Sequence, residues 1–391
     1  MQILVLNAGS SSLKFAVYES AGEALQISMT GAVSGLPDRP QFRVRDAAGA
    51  VLAEAEWPEG EGELSAALAR TLDWLAGEGG VGAPTAIGHR IVHGGLDFAA
   101  PIRLDEGTLK RLEGLSPLAP LHQPFNLAAV RAAQARFPGA AQVGCFDTAF
   151  HADQPRLARI YALPRDLTEA GVLAYGFHGL SYDFIASALR ARFGDTCGGR
   201  VIVAHLGSGV SLCALAQGKS LATTMGFSAL DGPPMATRSG AVDPGVLLYL
   251  METRAMSAAD LTDLLYRRSG LLGVSGESGD VRVLLASERP EAREALDLFV
   301  YRLAREIGGL AAALGGVDRI VFTAGVGENS AEIRAGVLSA CAWLGAELDA
   351  EANQAGAEVI TVASSRVTAM VLPTDEQVVI ANAARAMLPR S

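Results

Sequence analysis

A chain of 391 residues exceeds the roughly 250–300 at which a single hydrophobic core stops growing, so two domains are expected. Half of its residues are apolar and 19% are charged, which excludes a disordered chain. A formal charge of −10 argues against a general nucleic-acid binder, which needs a basic surface to displace counterions.

The N-terminus, "MQILVLNAGSSS", lacks a basic n-region, and its apolar run is too short for a signal peptide. No run approaches the ~18–20 apolar residues of a membrane span, so a cytoplasmic protein with no membrane partner is expected. Cys145, Cys197, Cys213 and Cys341 form no C-x-x-C pair and sit in apolar runs, the pattern of reduced, buried thiols.

In chain order, "ILVL", "NAGSSSLK" and "FAVYE" read as strand, tight polar loop and strand. A loop of one glycine and three serines ending in lysine suits phosphate, yet it lacks the Walker A spacing. "LSAALARTLDWLAG" and "QPFNLAAVRAAQARF" carry apolar residues at helical spacing, and between and after them "AIGHRIVHGG" and "AAQVGCFDTAFH" read as strands. "RVIVAHLGSGVSLCALAQGK" then repeats the opening grammar. Aligned without gaps, Asn7, Gly9 and Ser10 fall on His205, Gly207 and Ser208. The spacing predicts two related α/β domains, each opening with a hairpin, against the alternative of two unrelated hairpins. "EALDLFVYRLAREIGGLAAAL" predicts a long amphipathic helix leading into the strand "RIVFTA", which breaks at a third glycine loop, "GVGENS". "TDEQVVIANAARAML" predicts a closing helix capped by Thr374 or Asp375, with Glu376 in its first turn.

His89 and His93 have the spacing of a zinc helix, but the run is β-branched, and on a strand those positions lie roughly 13 Å apart, so zinc is not expected. On that strand Arg90 and Val92 share a face, either as a wall for a molecule with one charged and one apolar end or as a surface arginine beside a core valine. Arg238 lies in "PPMATRSGAVDPG", a long loop that no helix or strand period explains, and such loops are often functional. Two arginines from distant segments could clamp a phosphoryl group, although surface solvation explains either one alone. Asp147 closes a strand, where α/β folds place chemistry, and with Glu376 it could hold Mg²⁺. Alone, Glu376 is also a favourable charge at a helix N-terminus. The hydrolase elbow, the Rossmann fingerprint and the protein-kinase motifs do not occur.

Together, "NAGSSSLKF", "GHRIVHGG", "LAPLHQPFN", "CFDTAFH", "YGFHGLSY", "MATRSGAVDPG", "FTAGVGENS" and "PTDEQ" resemble the acetate kinase family in order and spacing. The resemblance runs through nearly the whole chain. It implies the ribonuclease-H-like fold shared by sugar kinases and actin: two duplicated α/β domains closing over a nucleotide cleft, here 1–148 plus 377–391 and 149–376. It also implies a homodimer acting on small molecules, with reversible ATP-dependent phosphorylation of acetate to acetyl phosphate and ADP. Mg²⁺ would be the metal, with Mn²⁺ able to substitute.

Carried over residue by residue, the resemblance gives Asn7, Ser10, Ser12 and Lys14 to the phosphate side of the site. Asn7 would orient Mg²⁺ ligands and Ser12 would meet the transferring phosphate. Arg90 and Arg238 would bind the acyl carboxylate and stabilise the phosphoryl group in flight, and His178 would hydrogen-bond that group in the transition state. His122 and His205 match two further active-site histidines, and Asp147 and Glu376 the Mg²⁺-linked carboxylates. The nucleotide would follow His205, Leu206, Gly207, Ser208 and Gly209, with adenosine near Asp280, Val281, Arg282, Gly325, Val326, Gly327 and Asn329. Val92, Leu121 and Phe177 would form the acyl pocket, beside Ala229.

Departures from the family pattern fall on that site. Ser208 replaces an asparagine of the usual "HLGNG", and Gln123 stands in a usual "LHNP". Ala229 takes the place of a pocket-closing proline, and Ala241 the place of an aspartate. Loss of the proline could admit one more methylene, worth only about 0.8 kcal/mol, so a propionate-preferring kinase is the nearest alternative. A butyrate-preferring kinase, a non-catalytic actin-type ATP switch and a pyrophosphate-dependent enzyme are more remote.

Overall fold

The computed structural model describes residues 1–391 apart from 10–11, 23, 37–38, 59–63 and 390–391. The chain divides into two units, Met1–Phe150 with Asp375–Ser391, and His151–Thr374.

The first unit is built on β1 (Gln2–Ala8), β2 (Leu13–Ala21), β3 (Ala24–Ser34), β4 (Gln41–Asp46), β5 (Val51–Glu56), β6 (Ala86–Ile91), β7 (Ile102–Arg103) and β8 (Ala141–Phe146). Among the described residues these form one sheet in the order β5-β4-β3-β2-β1-β6-β8-β7. Ile3 to Leu6 are all buried, as a central strand covered on both faces requires. β4 instead alternates, burying Phe42 and Val44 and exposing Gln41, Arg43 and Arg45. Phe42 stacks on Trp57 at 5.4 Å. Helices Leu64–Ala76 and Gln123–Arg136 cover this core, contributing Leu68, Leu72 and Leu75 from the first and Ala129 and Ala133 from the second. The closing helix Glu376–Ala386 lies against β6, where a side chain on Gly88 would meet Ile380 Cγ2 at 2.5 Å. Asp375 caps that helix by accepting from the amides of Gln377 and Val378, so of the two candidate caps it is Asp375 that serves.

The second unit holds β9 (Arg200–Leu206), β10 (Val210–Ala216), β11 (Lys219–Thr223), β12 (Arg319–Thr323) and β13 (Thr368–Val371), in the order β11-β10-β9-β12-β13. β9 pairs antiparallel with β10 and parallel with β12, as β1 does with β2 and β6. Five strands of each sheet thus share one order and one pattern of directions, which is the duplication the two hairpins predicted. The expected long helix is Pro290–Leu314, burying Ala292, Leu296, Phe299, Leu303, Ile307 and Leu310 at three- and four-residue spacing. All four cysteines are buried.

Two expectations need correction. "GVGENS" is not a glycine loop but lies mainly in a helical turn, Ala324–Asn329. Its ends are satisfied by side chains: the Glu328 carboxylate accepts from the Ala324 amide at 2.8 Å, and Arg334 donates to the carbonyls of Gly327 and Glu328. The loop around Arg238 is also shorter than expected, because Asp243 caps a helix that begins at Pro244.

Candidate functional site

In the first unit, β6 and β8 run parallel with Arg90 opposite Cys145, and the chain leaves β8 directly into Asp147. Arg90 Nε lies 2.9 Å from Asp147 Oδ1 and Arg90 Nη2 2.6 Å from Oδ2, a bidentate pair. Arg90 Nη1 also lies 3.3 Å from Glu376 Oε2. Asp147 is fully buried, and two carboxylates share one guanidinium. Burial alone would lower the Arg90 value, but Asp147 and Glu376 together raise it above the ordinary one. Arg90 is therefore a fixed cation held from behind.

Asn7 sits at the end of β1, opposite Lys14 in the hairpin register. Ser12 follows the Gly9 turn, where the Gly9 amide donates to the Ser12 carbonyl. Ser10 lies outside the described residues. Val92 is buried, Leu121 is half-buried in the turn before helix Gln123–Arg136, and His122 occupies that helix's N-cap position. The segment after β6 is anchored by two residues of the "LAPLHQPFN" motif that carry no assigned role in the chemistry. Asn126 accepts from the Val92 amide at 2.9 Å and donates to the Ala8 carbonyl at 2.6 Å. Gln123 accepts from the His93 amide and donates to its carbonyl. Both are amides in the first helical turn of a segment otherwise rich in alanine, which is the signal that marks them.

The second unit gathers its candidates around the β9–β10 turn. A side chain on Gly209 would lie 3.1 Å from His178 Nε2 and 3.7 Å from Arg238 Nη1. One on Gly207 would lie 3.5 Å from His205 Nε2 and 3.7 Å from Ala324 Cβ. The imidazoles of His178 and His205 stack 4.2 Å apart. His178 adopts φ +57° at the start of helix Gly179–Phe193, and Ala324 adopts φ +64°, so strained backbone marks both borders of this turn. Arg238 Nη1 donates to the Ala229 carbonyl at 3.1 Å, which ties the arginine to the residue that departs from the family pattern. The Ser208 carbonyl accepts from the Ala236 amide. Leu206 is buried at the end of β9, and Phe177 is buried with its carbonyl accepting from His151 Nε2.

Farther along this unit, Asp280 caps helix Val281–Ala286 and forms an ion pair with Arg282. Both line an open groove of about 590 Å³ with Glu277, Val283, Ala286 and Ser287, whereas the Val281 side chain is buried away from solvent. On the Ala324–Asn329 turn, a Cβ added to Gly325 would meet nothing within 4 Å, and Val326 and Asn329 are accessible. Asn329 donates to the Gly325 carbonyl, and Gly327 is buried against β12. Arg334, which belongs to none of the sequence motifs, holds the turn from below.

Among the described residues, no three or more His, Cys, Asp or Glu side chains form a metal cluster. Mg²⁺ commonly takes one or two carboxylates with phosphate oxygens and water, and the oxygens of Asp147, Glu376 and Asn7 are hard donors of that kind. Their chemistry fits the ion. No helix among the described residues is long and apolar enough to cross a membrane.

The profile of the Acetokinase family matches residues 2–382. The chain is 49% identical over 384 residues to an acetate kinase of Rhodopseudomonas palustris (strain TIE-1), covering 97% of this chain and 96% of that protein. Among solved structures, a propionate kinase from Francisella tularensis superposes with TM-score 0.91 at 32% identity, over 99% of this chain and 100% of the other. The Porphyromonas gingivalis acetate kinase superposes with TM-score 0.87 at 36% identity, with the same coverage.

Proposed function

Because the chain belongs to the acetokinase family, we propose that the residues described above perform the ATP-dependent phosphorylation of acetate to acetyl phosphate by direct, in-line transfer. An acetate oxygen forms the new bond to the γ-phosphorus while the bond from that phosphorus to the β,γ-bridging oxygen breaks, and ADP leaves with the electron pair. No proton moves, since a carboxylate is already a nucleophile at neutral pH. Positioning and charge stabilisation therefore carry the catalysis.

The observation that supports this reading most strongly is the convergence of His178 Nε2 and Arg238 Nη1 on the space over Gly209. Two nitrogen groups there, beside the glycine turn of β9–β10, suit a phosphoryl group whose oxygens gather negative charge. Arg90, fixed by Asp147, is assigned to the acetate carboxylate, with Val92, Leu121, Phe177 and Ala229 assigned to its methyl group. Asn7, Ser10, Ser12 and Lys14 are assigned to phosphate, His122 to the reacting centre, and the groove at Asp280 and Arg282 with the Gly325–Asn329 turn to adenosine. Mg²⁺, or Mn²⁺ in its place, would be held by Asp147, Glu376 and Asn7 and would supply neutralisation of phosphate charge.

Arg238→Ala is the cleaner test of the two arginines, because removing Arg90 leaves Asp147 buried without its bidentate partner. Trapping acyl phosphate with hydroxylamine should show turnover falling about 10³-fold with the fold intact. Near-normal turnover removes Arg238 from the mechanism. A propionate preference is the second reading, favoured by Ala229 where the family pattern has a larger residue.

A cytoplasmic homodimer completes the proposal. Helix Pro244–Arg254 has no buried side chain and exposes Val246, Leu248, Tyr249 and Met251 around its circumference, apolar surface suited to a second copy. Sedimentation at micromolar concentration should report twice the mass of one chain, and Leu248→Glu should halve it.

A further inference from the structure

Behind His178 stand two hydroxyls in series. Tyr182 Oη lies 2.5 Å from Ser211 Oγ, and Ser211 Oγ lies 2.8 Å from His178 Nδ1. Tyr182 and Ser211 are fully buried, and His178 nearly so. The hydroxyls belong to rigid elements: Tyr182 is one turn into helix Gly179–Phe193, and Ser211 lies on β10 directly opposite His205.

Ser211 has one proton to give and lies between two partners. A phenol is a stronger acid than an alkyl alcohol, so it is the better donor of the two hydroxyls. Burial raises the Tyr182 value well above the ordinary one and keeps that phenol protonated. Tyr182 donating to Ser211 leaves the Ser211 proton for His178 Nδ1 to accept. Accepting at Nδ1 leaves the imidazole proton on Nε2, the atom that borders the space over Gly209.

We propose that Tyr182 and Ser211 are positioning residues that hold His178 in its Nε2–H tautomer, so that a neutral imidazole donates a hydrogen bond to the transferring phosphoryl group. The proposal rests on the reading of His178 as a donor to that group. The opposite tautomer would turn a lone pair toward an oxygen gathering negative charge, which costs where the donor should stabilise. A cationic imidazole would also donate, but it carries a second proton on Nδ1, which would face the Ser211 proton directed at that atom. The relay gives donation without charge. Tautomers set by the group on the far nitrogen are the general rule for working histidines.

Two measurements on the full-length protein test this. In protein carrying ¹⁵N-labelled histidine rings, His178→Gln assigns the ring by loss of its signals, and the long-range ¹H–¹⁵N pattern of the parent should place the proton on Nε2. Kinetically, Ser211→Ala and Tyr182→Phe should lower kcat about 10–100-fold with KM for acetate and ATP little changed, and Ser211→Thr, which restores the hydroxyl, should recover most of the loss. A proton on Nδ1 in the parent overturns the relay whatever the kinetics. Parental kcat in Ser211→Ala overturns it as well. If the proton is on Nε2 but His178→Gln turns over normally, what fails is the donor role of His178, and the two failures are thereby told apart.

Discussion

Arg334→Met removes a buried guanidinium while keeping most of its stem. Arg334 donates to the carbonyls of Gly327 at 3.0 Å and Glu328 at 2.8 Å, and to Asn353 through Oδ1 at 2.8 Å and the carbonyl at 2.7 Å. It is 2% exposed, so water does not replace these bonds. Each acceptor left unsatisfied costs about 1–3 kcal/mol. Against that, burial pulls the Arg334 value below its ordinary one, and loss of the charge recovers part of the desolvation. The balance is a loss of about 3 kcal/mol, which for a unit of this size lowers Tm by about 6–12 °C. The same change frees the lower end of the Ala324–Asn329 turn, so KM for ATP should rise about tenfold while KM for acetate holds. Scanning calorimetry with initial-rate kinetics measures both. A Tm within about 2 °C of the parent would refute the claim that Arg334 anchors the turn.

Gly209→Ala adds a methyl group 3.1 Å from His178 Nε2 at a position with no left-handed backbone, so stability should change by no more than about 0.5 kcal/mol while kcat falls about 100-fold. Urea titration and hydroxamate formation read the two effects, and retained turnover would show that the space over Gly209 is not used. Burial drives His89, His93 and His151 down to about 4. The unfolded chain takes up these protons near pH 6.5 and the native one near pH 4, so stability falls as pH drops through that window, by up to about 1.4 kcal/mol per pH unit for each histidine. Urea midpoints that stay constant over that window would contradict the burial of neutral imidazoles.

The hairpin repeat was legible because strand, glycine turn and strand leave a pattern that survives divergence. Its register was not. Asn7 pairs with Lys14, while His205 pairs with Ser211, one residue tighter than a gapless alignment implies. Glycines in "GVGENS" suggested a loop because intrinsic preference opposes helix, and the turn forms only because Glu328 and Arg334 reach its two ends. Arg334 itself left a signal, as a lone arginine on a helical stripe with Ile333, Val337 and Leu338, all buried. Asp147 was legible as a carboxylate at a strand end, but its bidentate grip on Arg90 joins residues far apart in sequence, and no local pattern announces such a pair. Ser211 was hidden for the same reason: it reads as one more small residue in a strand, and only the fold sets it against His178.

The measurement closest to the central claim is hydroxylamine trapping of acyl phosphate with Mg-ATP and, in parallel, acetate, propionate and butyrate at matched concentrations. The account predicts product with the highest kcat/KM on acetate, whereas a pocket that buries one more methylene beside Ala229 would raise the propionate value relative to acetate by up to about fourfold. Absence of acyl phosphate with all three acids would contradict phosphoryl transfer to a carboxylate and leave ATP binding without this chemistry.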